Sequence, residues 1–202
     1  MTKPSSSDVA FSPAVKEVQR ARGSRKAYAR MEDKGGFETL VDDRLADFLR
    51  QVDTAFLATA SADGQPYVQH RGGPRGFIRP LDEHTLGFVD FVGNRQYVST
   101  GNLAENDRVC LLLMDYARRR RIKVWGHARV VPATPELLVK LALSDDDSRV
   151  EQVILLDVLA WDVNCPQHIP QKLDAADVAA AVERLEARIA ELERENLALR
   201  AR

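Results

Sequence analysis

Residues 90–125 read DFVGNRQYVSTGNLAENDRVCLLLMDYARRRRIKVW, and the rest of the chain is organised around that stretch. An apolar strand from Leu86 to Val92 runs into Gly93-Asn94-Arg95-Gln96, and a short helix follows to about Leu103. The turn Glu105-Asn106-Asp107 leads into a second apolar strand, Arg108 to Asp115, and then a basic strand opening on Arg118-Arg119-Arg120-Arg121. A strand end, a glycine and a helix start form an anion site. The first N–H groups of the helix are unpaired and partly positive, and an arginine beside them adds a two-pronged fork. The turn is expected to hold a phosphate, with the later arginines closing over the same anion.

Working outward, Phe56-Leu57-Ala58-Thr59-Ala60 alternates as a strand, and Asp63-Gly64 is a hairpin signal before the return from Pro66 to His70. Gly72-Gly73-Pro74 bends the chain ahead of a strand from Phe77 to Leu81. Ile122 to Val131 continues the basic strand, and Val153 to Val163 is the last. Short strands at hairpin spacing argue a closed, mainly antiparallel β-barrel over a doubly wound sheet. Before the strands, residues 1–11 read as a loose Ser- and Pro-rich arm. Ser12 and Pro13 open a helix that Gly23 interrupts, and Asp42 or Asp43 opens another that buries Leu45, Phe48 and Leu49. Thr134 caps a helix carrying Leu137, Leu138 and Leu141.

A length of 202 residues suits one domain with extensions, and 45% hydrophobic with 29% charged residues is globular composition. A net charge of -1 gives no field to recruit nucleic acid or an anionic membrane, so the arginine run acts at the scale of a site. No apolar run is long enough to span a membrane, and the N-terminus lacks a signal-peptide core. Two distant cysteines, Cys110 and Cys165, fit a reducing cytoplasm. The four histidines lack metal-ligand spacing, so no metal site is expected; Asp145-Asp146-Asp147 lacks the alternation of a calcium loop.

From Asp174 the composition turns to Ala, Glu, Arg and Leu. Val182, Ile189 and Asn196 share one heptad position, and Val178, Leu185, Leu192 and Leu199 the other, the seam of a coiled coil. Arg188 would face Glu193 of a parallel partner, and Glu195 would face Arg200, so this helix is expected to self-associate, with a higher oligomer as one outcome.

The landmarks FLATASADGQPYVQ, GFVDFVGNRQ, NLAENDRVCLLLMDY and RRIKVWGHARVV together resemble the pyridoxamine 5'-phosphate oxidase-like FMN-binding split barrels. The resemblance spans Thr54 to Val131, with a weaker echo at Trp161 to His168. It implies a six-stranded antiparallel split barrel with flanking helices, and a homodimer with FMN at the interface. The divisions are then 1–53, an N-terminal helical arm; 54–170, the barrel; and 174–202, the coiled-coil helix. By resemblance Arg95 matches the phosphate arginine of the family's turn, while Gln96 stands where a lysine is usual. Arg79 resembles a second phosphate residue, Arg121 falls where a flavin-contacting glutamine is common, and Lys123 shares its strand face. Asp90 and Asn94 belong to the same cofactor-binding set, and Gln69-His70-Arg71 lies where the ring is met. His168 lies on the loop expected over the substrate. The stretch Val163 to Pro170 lacks the arginine that grips pyridoxamine phosphate, so another small molecule is the expected substrate.

Hydride chemistry belongs to the flavin, so no protein nucleophile is required, and catalytic residues stay unassigned. A non-catalytic flavin- or haem-binding sensor or carrier, and an F420-dependent reductase, stand as alternatives to an FMN oxidoreductase.

Overall fold

Side-chain caps start the helices where the sequence places them. In the computed structural model, which describes residues 4–142 and 149–201, the Ser12 hydroxyl accepts the Val15 N–H at 3.3 Å and opens α1 (Pro13–Ala21). Gly23, at φ 80°, ends that helix, and α2 (Arg25–Asp33) follows. The Asp42 carboxylate accepts the Leu45 N–H at 3.0 Å and opens α3 (Asp43–Leu49), which buries Leu45, Phe48 and Leu49. Then come β1 (Thr54–Ala60), β2 (Pro66–Gly72), β3 (Arg79–Pro80) and β4 (Thr85–Phe91). Helix α4 (Val98–Glu105) precedes β5 (Arg108–Asp115) and β6 (Arg120–Val131). Thr134 caps α5 (Pro135–Lys140), and β7 (Val150–Asn164) and α6 (Ala175–Arg200) complete the chain. The aspartates 145–147 lie outside the described residues.

The strands form one antiparallel sheet in the order β2-β1-β5-β6-β7-β4-β3. This corrects the six-stranded closed barrel in two ways. The sheet has seven strands, and among the described residues no ladder joins β2 to β3. The expected Phe77–Leu81 strand shrinks to Arg79–Pro80 because Pro80 has no N–H to extend a ladder and the Gly73–Gly76 segment has turned away. Side chains do what the ladder does not. Arg71 of β2 forms an ion pair with Asp90 of β4, so the sheet curls until strands five places apart in its order meet. The architecture is mainly β with flanking helices, an α+β fold.

Alternation decides what the sheet buries. Ala55 and Leu57 of β1, Leu111 and Leu113 of β5, and Ile122 and Val124 of β6 point inward with Phe48, Phe88 and Trp161. The Trp161 indole N–H donates to the Leu40 carbonyl at 2.7 Å, fastening the segment before α3 to β7. In β4, Leu86 to Val89 are buried on both faces, because Val89 meets Leu138, Leu141, Val153 and Leu155 beside α5. The opposite face of β1, β5 and β6 carries Phe56, Ala58, Cys110, Leu112, Lys123 and Trp125, all half-buried.

Residues 4–11 are not the loose arm expected. Ser6–Val9 form a 3-10 turn with Ser7 fully buried, and Ser6 Oγ donates to the Phe37 carbonyl at 2.6 Å. Phe11 packs edge-on to Phe37, which stacks on Trp125 with centroids 5.3 Å apart. This segment therefore covers one end of the sheet's outer face. No described helix is long and apolar enough to cross a membrane.

Candidate functional site

The strand-to-helix turn after β4 floors a polar cavity of about 290 Å³. Tyr67, Gln69 and Arg71 reach it from β2, where a period of two sets them on one face. Asp90 and Phe91 enter from the end of β4, followed by Gly93 to Tyr97, the first turn of α4 and Glu151 of β7.

The turn is held in sparsely populated backbone. Arg95 has φ 60° and Tyr97 φ 52°, both left-handed, a conformation that costs a non-glycine residue on the order of 1–3 kcal/mol and concentrates at functional sites. The Asn94 side chain steadies it by accepting the Gln96 N–H at 3.2 Å. Tyr97 stands at the N-cap of α4, and no side chain caps that helix. The N–H groups of its first turn, with their share of the helix dipole, thus open onto the cavity.

Beneath the turn lies a hydrogen-bonded chain of side chains. Ser99 Oγ donates to Gln69 Oε1 at 2.8 Å, and Arg71 Nη2 donates to the same oxygen at 3.0 Å. Arg71 pairs with Asp90, whose second oxygen accepts Gln152 Nε2 at 2.9 Å. Gln152 Nε2 also reaches Thr100 Oγ1 at 3.0 Å, tying β7 to α4. At the rim the Tyr97 hydroxyl donates to Glu151 at 2.6 Å; that bond, with burial, raises the phenol's pKa.

The charges need counting. Among the described lining residues, Arg71 and Arg95 are opposed by Asp90 and Glu151. Arg71 is spent on Asp90, whereas Arg95 is exposed and has no hydrogen-bond or ion-pair partner among the described residues. The guanidinium available to a ligand is that of Arg95.

Six of the expected site residues thus come together: Gln69, Arg71, Asp90, Asn94, Arg95 and Gln96. Four do not. His70 points away from its neighbours on β2 and meets Phe56 edge-on at 5.6 Å. Arg79 lies across from Gly87 with its Nε buried and, among the described residues, unpartnered. Arg121 and Lys123 share the outer face of β6, opposite Asn164 and Asp162. Arg121 Nε and Asn164 Oδ1 are both buried without a partner among the described residues. Burial raises the Asp162 carboxyl, against the opposing pull of the Val163 N–H and the Lys123 charge. His168 is exposed on the loop after β7, at φ 63°. Arg120, on the other side of the strand from Arg121, lies 5.1 Å over the Phe48 ring. Ser99, Thr100, Glu151 and Gln152 were missing from the expected set. Their one sequence signal is a polar Glu151-Gln152 pair opening an otherwise apolar strand.

A profile for pyridoxamine 5'-phosphate oxidase matches residues 41–190, 150 of the 202 residues, and takes in the whole cavity. The chain belongs to the pyridoxamine 5'-phosphate oxidase family. No curated protein matches it. Solved structures similar to it include HupZ of group A Streptococcus, 16% identical with a TM-score of 0.49, over 65% of this chain and 98% of that one. A putative pyridoxamine 5'-phosphate oxidase from Lactobacillus delbrueckii is 19% identical at 0.48, over 62% and 95%. An FMN-binding protein from Syntrophomonas wolfei is 11% identical at 0.47, over 72% and 97%. None of these likenesses bears on what this chain binds. Family membership rests on the profile.

Proposed function

We propose that this protein is an FMN-dependent oxidoreductase acting on a small molecule other than pyridoxamine phosphate. One observation carries the reading: an uncapped helix start, a left-handed turn and the unpartnered Arg95 converge on one polar cavity. Those groups fit a phosphate. Main-chain N–H groups of α4 supply directed donors, and Arg95 supplies the charge.

A cavity of about 290 Å³ is at the small end for a ligand site and suits the phosphate end of a mononucleotide better than all of it. The remainder needs another surface, which favours a homodimer with the ring against a second subunit. The outer face of the sheet is the natural meeting surface. It carries Val68 at 59% exposure beside Phe56 and Leu112, with His70, Arg121 and Lys123 among them. The unpaired Arg121 Nε and Asn164 Oδ1 lie on that side and would find partners there.

FMN, when bound, supplies hydride transfer at its N5. The protein's share is position and electrostatics. The α4 amides and Arg95 hold the phosphate, and the Gln69–Arg71–Asp90 chain fixes the floor. His70 and Lys123 provide donors near the ring. The loop holding His168, which lacks the family's substrate-gripping arginine, covers the substrate.

The test is FMN titration of the purified protein, followed by quenching of flavin fluorescence. Arg95→Ala should weaken binding by about 10- to 150-fold, the range for a lost charge-assisted hydrogen bond. Colourless protein that takes up no FMN, or an unchanged Arg95→Ala, refutes the site. Quenching of F420 in preference to FMN keeps the phosphate cradle but changes the cofactor. Steady turnover with NADH or NADPH and an acceptor separates an enzyme from a carrier.

A further inference from the structure

Helix α6 runs for 26 residues, and none of them is buried. Among the described residues, only its base is held. Asp174 caps it through the Ala176 N–H at 2.9 Å, and Arg75 reaches Asp177 at 2.9 Å and Asp174 at 3.7 Å. At 1.5 Å per residue the rod is about 39 Å long. Val178, Val182, Leu185, Ile189, Leu192 and Leu199 form one stripe along it, each more than 40% exposed. A soluble helix does not keep so long an apolar stripe in water without a partner.

We infer that the stripe is covered by α6 of a second copy of this chain, in a parallel, in-register two-stranded coiled coil. Three observations choose that occupant and that direction. The apolar repeat is sustained over more than three heptads, and β-branched residues alternating with leucine (Val182 and Ile189 against Leu185, Leu192 and Leu199) favour two parallel strands. Parallel in-register pairing also sets Asn196 opposite Asn196, where the amides satisfy each other. An antiparallel pair would bury each amide against leucine or valine.

Charge complementarity is the third. In the parallel pair Arg188 of each copy faces Glu193 of the other, and Glu195 faces Arg200, so every flanking ion pair is attractive. An antiparallel pair centring Ile189 on Leu185 sets Arg188 against Arg188 and Glu186 against Glu186. Centring Ile189 on Leu192 gains Arg188 with Glu195 but sets Glu186 against Glu193.

Cross-linking tests this on the full-length chain and does not depend on flavin binding. Cys165→Ser removes the exposed thiol; Cys110 is half-buried, and burial raises its pKa, which slows its oxidation. In that background Leu199→Cys should give mostly disulfide-linked dimer on mild oxidation, because a parallel pair brings the two thiols face to face. Either antiparallel pair holds them at least about 25 Å apart. Leu197→Cys, equally exposed but off the stripe, should give little. Absence of linked dimer from Leu199→Cys, or equal yields from both positions, overturns the proposal. Adding Leu185→Asp and Leu192→Asp to the Leu199→Cys chain should abolish the linked dimer without changing the β-sheet circular dichroism signal; an undiminished yield overturns the proposal as well.

Discussion

Asp90→Ala tests what holds the curled sheet together. The Arg71–Asp90 pair links β2 to β4, and its side chains are only 11% and 13% exposed. Losing Asp90 leaves the Arg71 guanidinium buried with Gln69 as its one remaining acceptor, and Gln152 loses an acceptor too. Breaking one partner of a buried pair costs about 3–5 kcal/mol. For a chain of this size each kcal/mol moves the melting temperature by roughly 2–4 °C, so a fall of about 6–20 °C is expected. Arg71→Ala should cost a similar amount for the mirror reason. Arg71→Met with Asp90→Leu fills the same space without charge and should recover most of the loss, since desolvating two ions offsets much of their attraction. Thermal unfolding of the wild type, the two Ala variants and their Arg71→Ala, Asp90→Ala double, followed by circular dichroism at low and high salt, gives the coupling energy. It should be large and nearly independent of salt, because a buried pair is poorly screened. Single losses under about 1 kcal/mol that add in the double variant would mean water separates the two side chains. The sheet ends would then be held by the apolar core alone.

Glu151→Gln removes one of the two negative charges at the cavity while keeping an oxygen to accept the Tyr97 hydroxyl. FMN should bind about fivefold more tightly, the scale of one charge acting across several ångströms of wet protein. The Tyr97 phenol, raised mainly by its bond to Glu151, should titrate lower in the variant by ultraviolet absorbance, and an unmoved phenol would sever that link. Gly126→Ala places a methyl on the Asp157 carbonyl oxygen at the bulge between β6 and β7, where only backbone can yield. It should cost about 1–3 kcal/mol, visible as a lower urea midpoint with an unchanged slope.

Much of the fold was legible because its signals are local. Ser12, Asp42 and Thr134 cap the helices that start beside them, and the alternation in Phe56–Ala60 separates buried Leu57 from half-buried Phe56 and Ala58. The misreadings share a different cause. Residues 4–11 look polar and loose, yet Ser6 and Ser7 are fixed by acceptors at Phe37 and Glu32, about 25 to 30 residues away. Pro80 sets the length of β3, and the place of β7 between β6 and β4 has no local mark at all.

The site divides in the same way, and the division bears on how it would hold an anion. The turn at Asn94 to Gln96 can be read from residue types, because a glycine, an arginine and a helix start are contiguous. Its charge balance cannot, because Asp90 takes up Arg71 and Glu151 stands beside Tyr97 through contacts 19 and 54 residues apart in sequence. With glutamine at position 96 in place of the family's usual lysine, the cavity's formal charge sums to zero over the described lining residues. A phosphate there is held chiefly by directed N–H groups, with one guanidinium added. Such a site discriminates by geometry more than by attraction, since main-chain donors at a helix start point to one place while long basic side chains follow an anion to many. If FMN binds as proposed, the left-handed turn itself would be the instrument of recognition, and the backbone strain at Arg95 and Tyr97 would have a function.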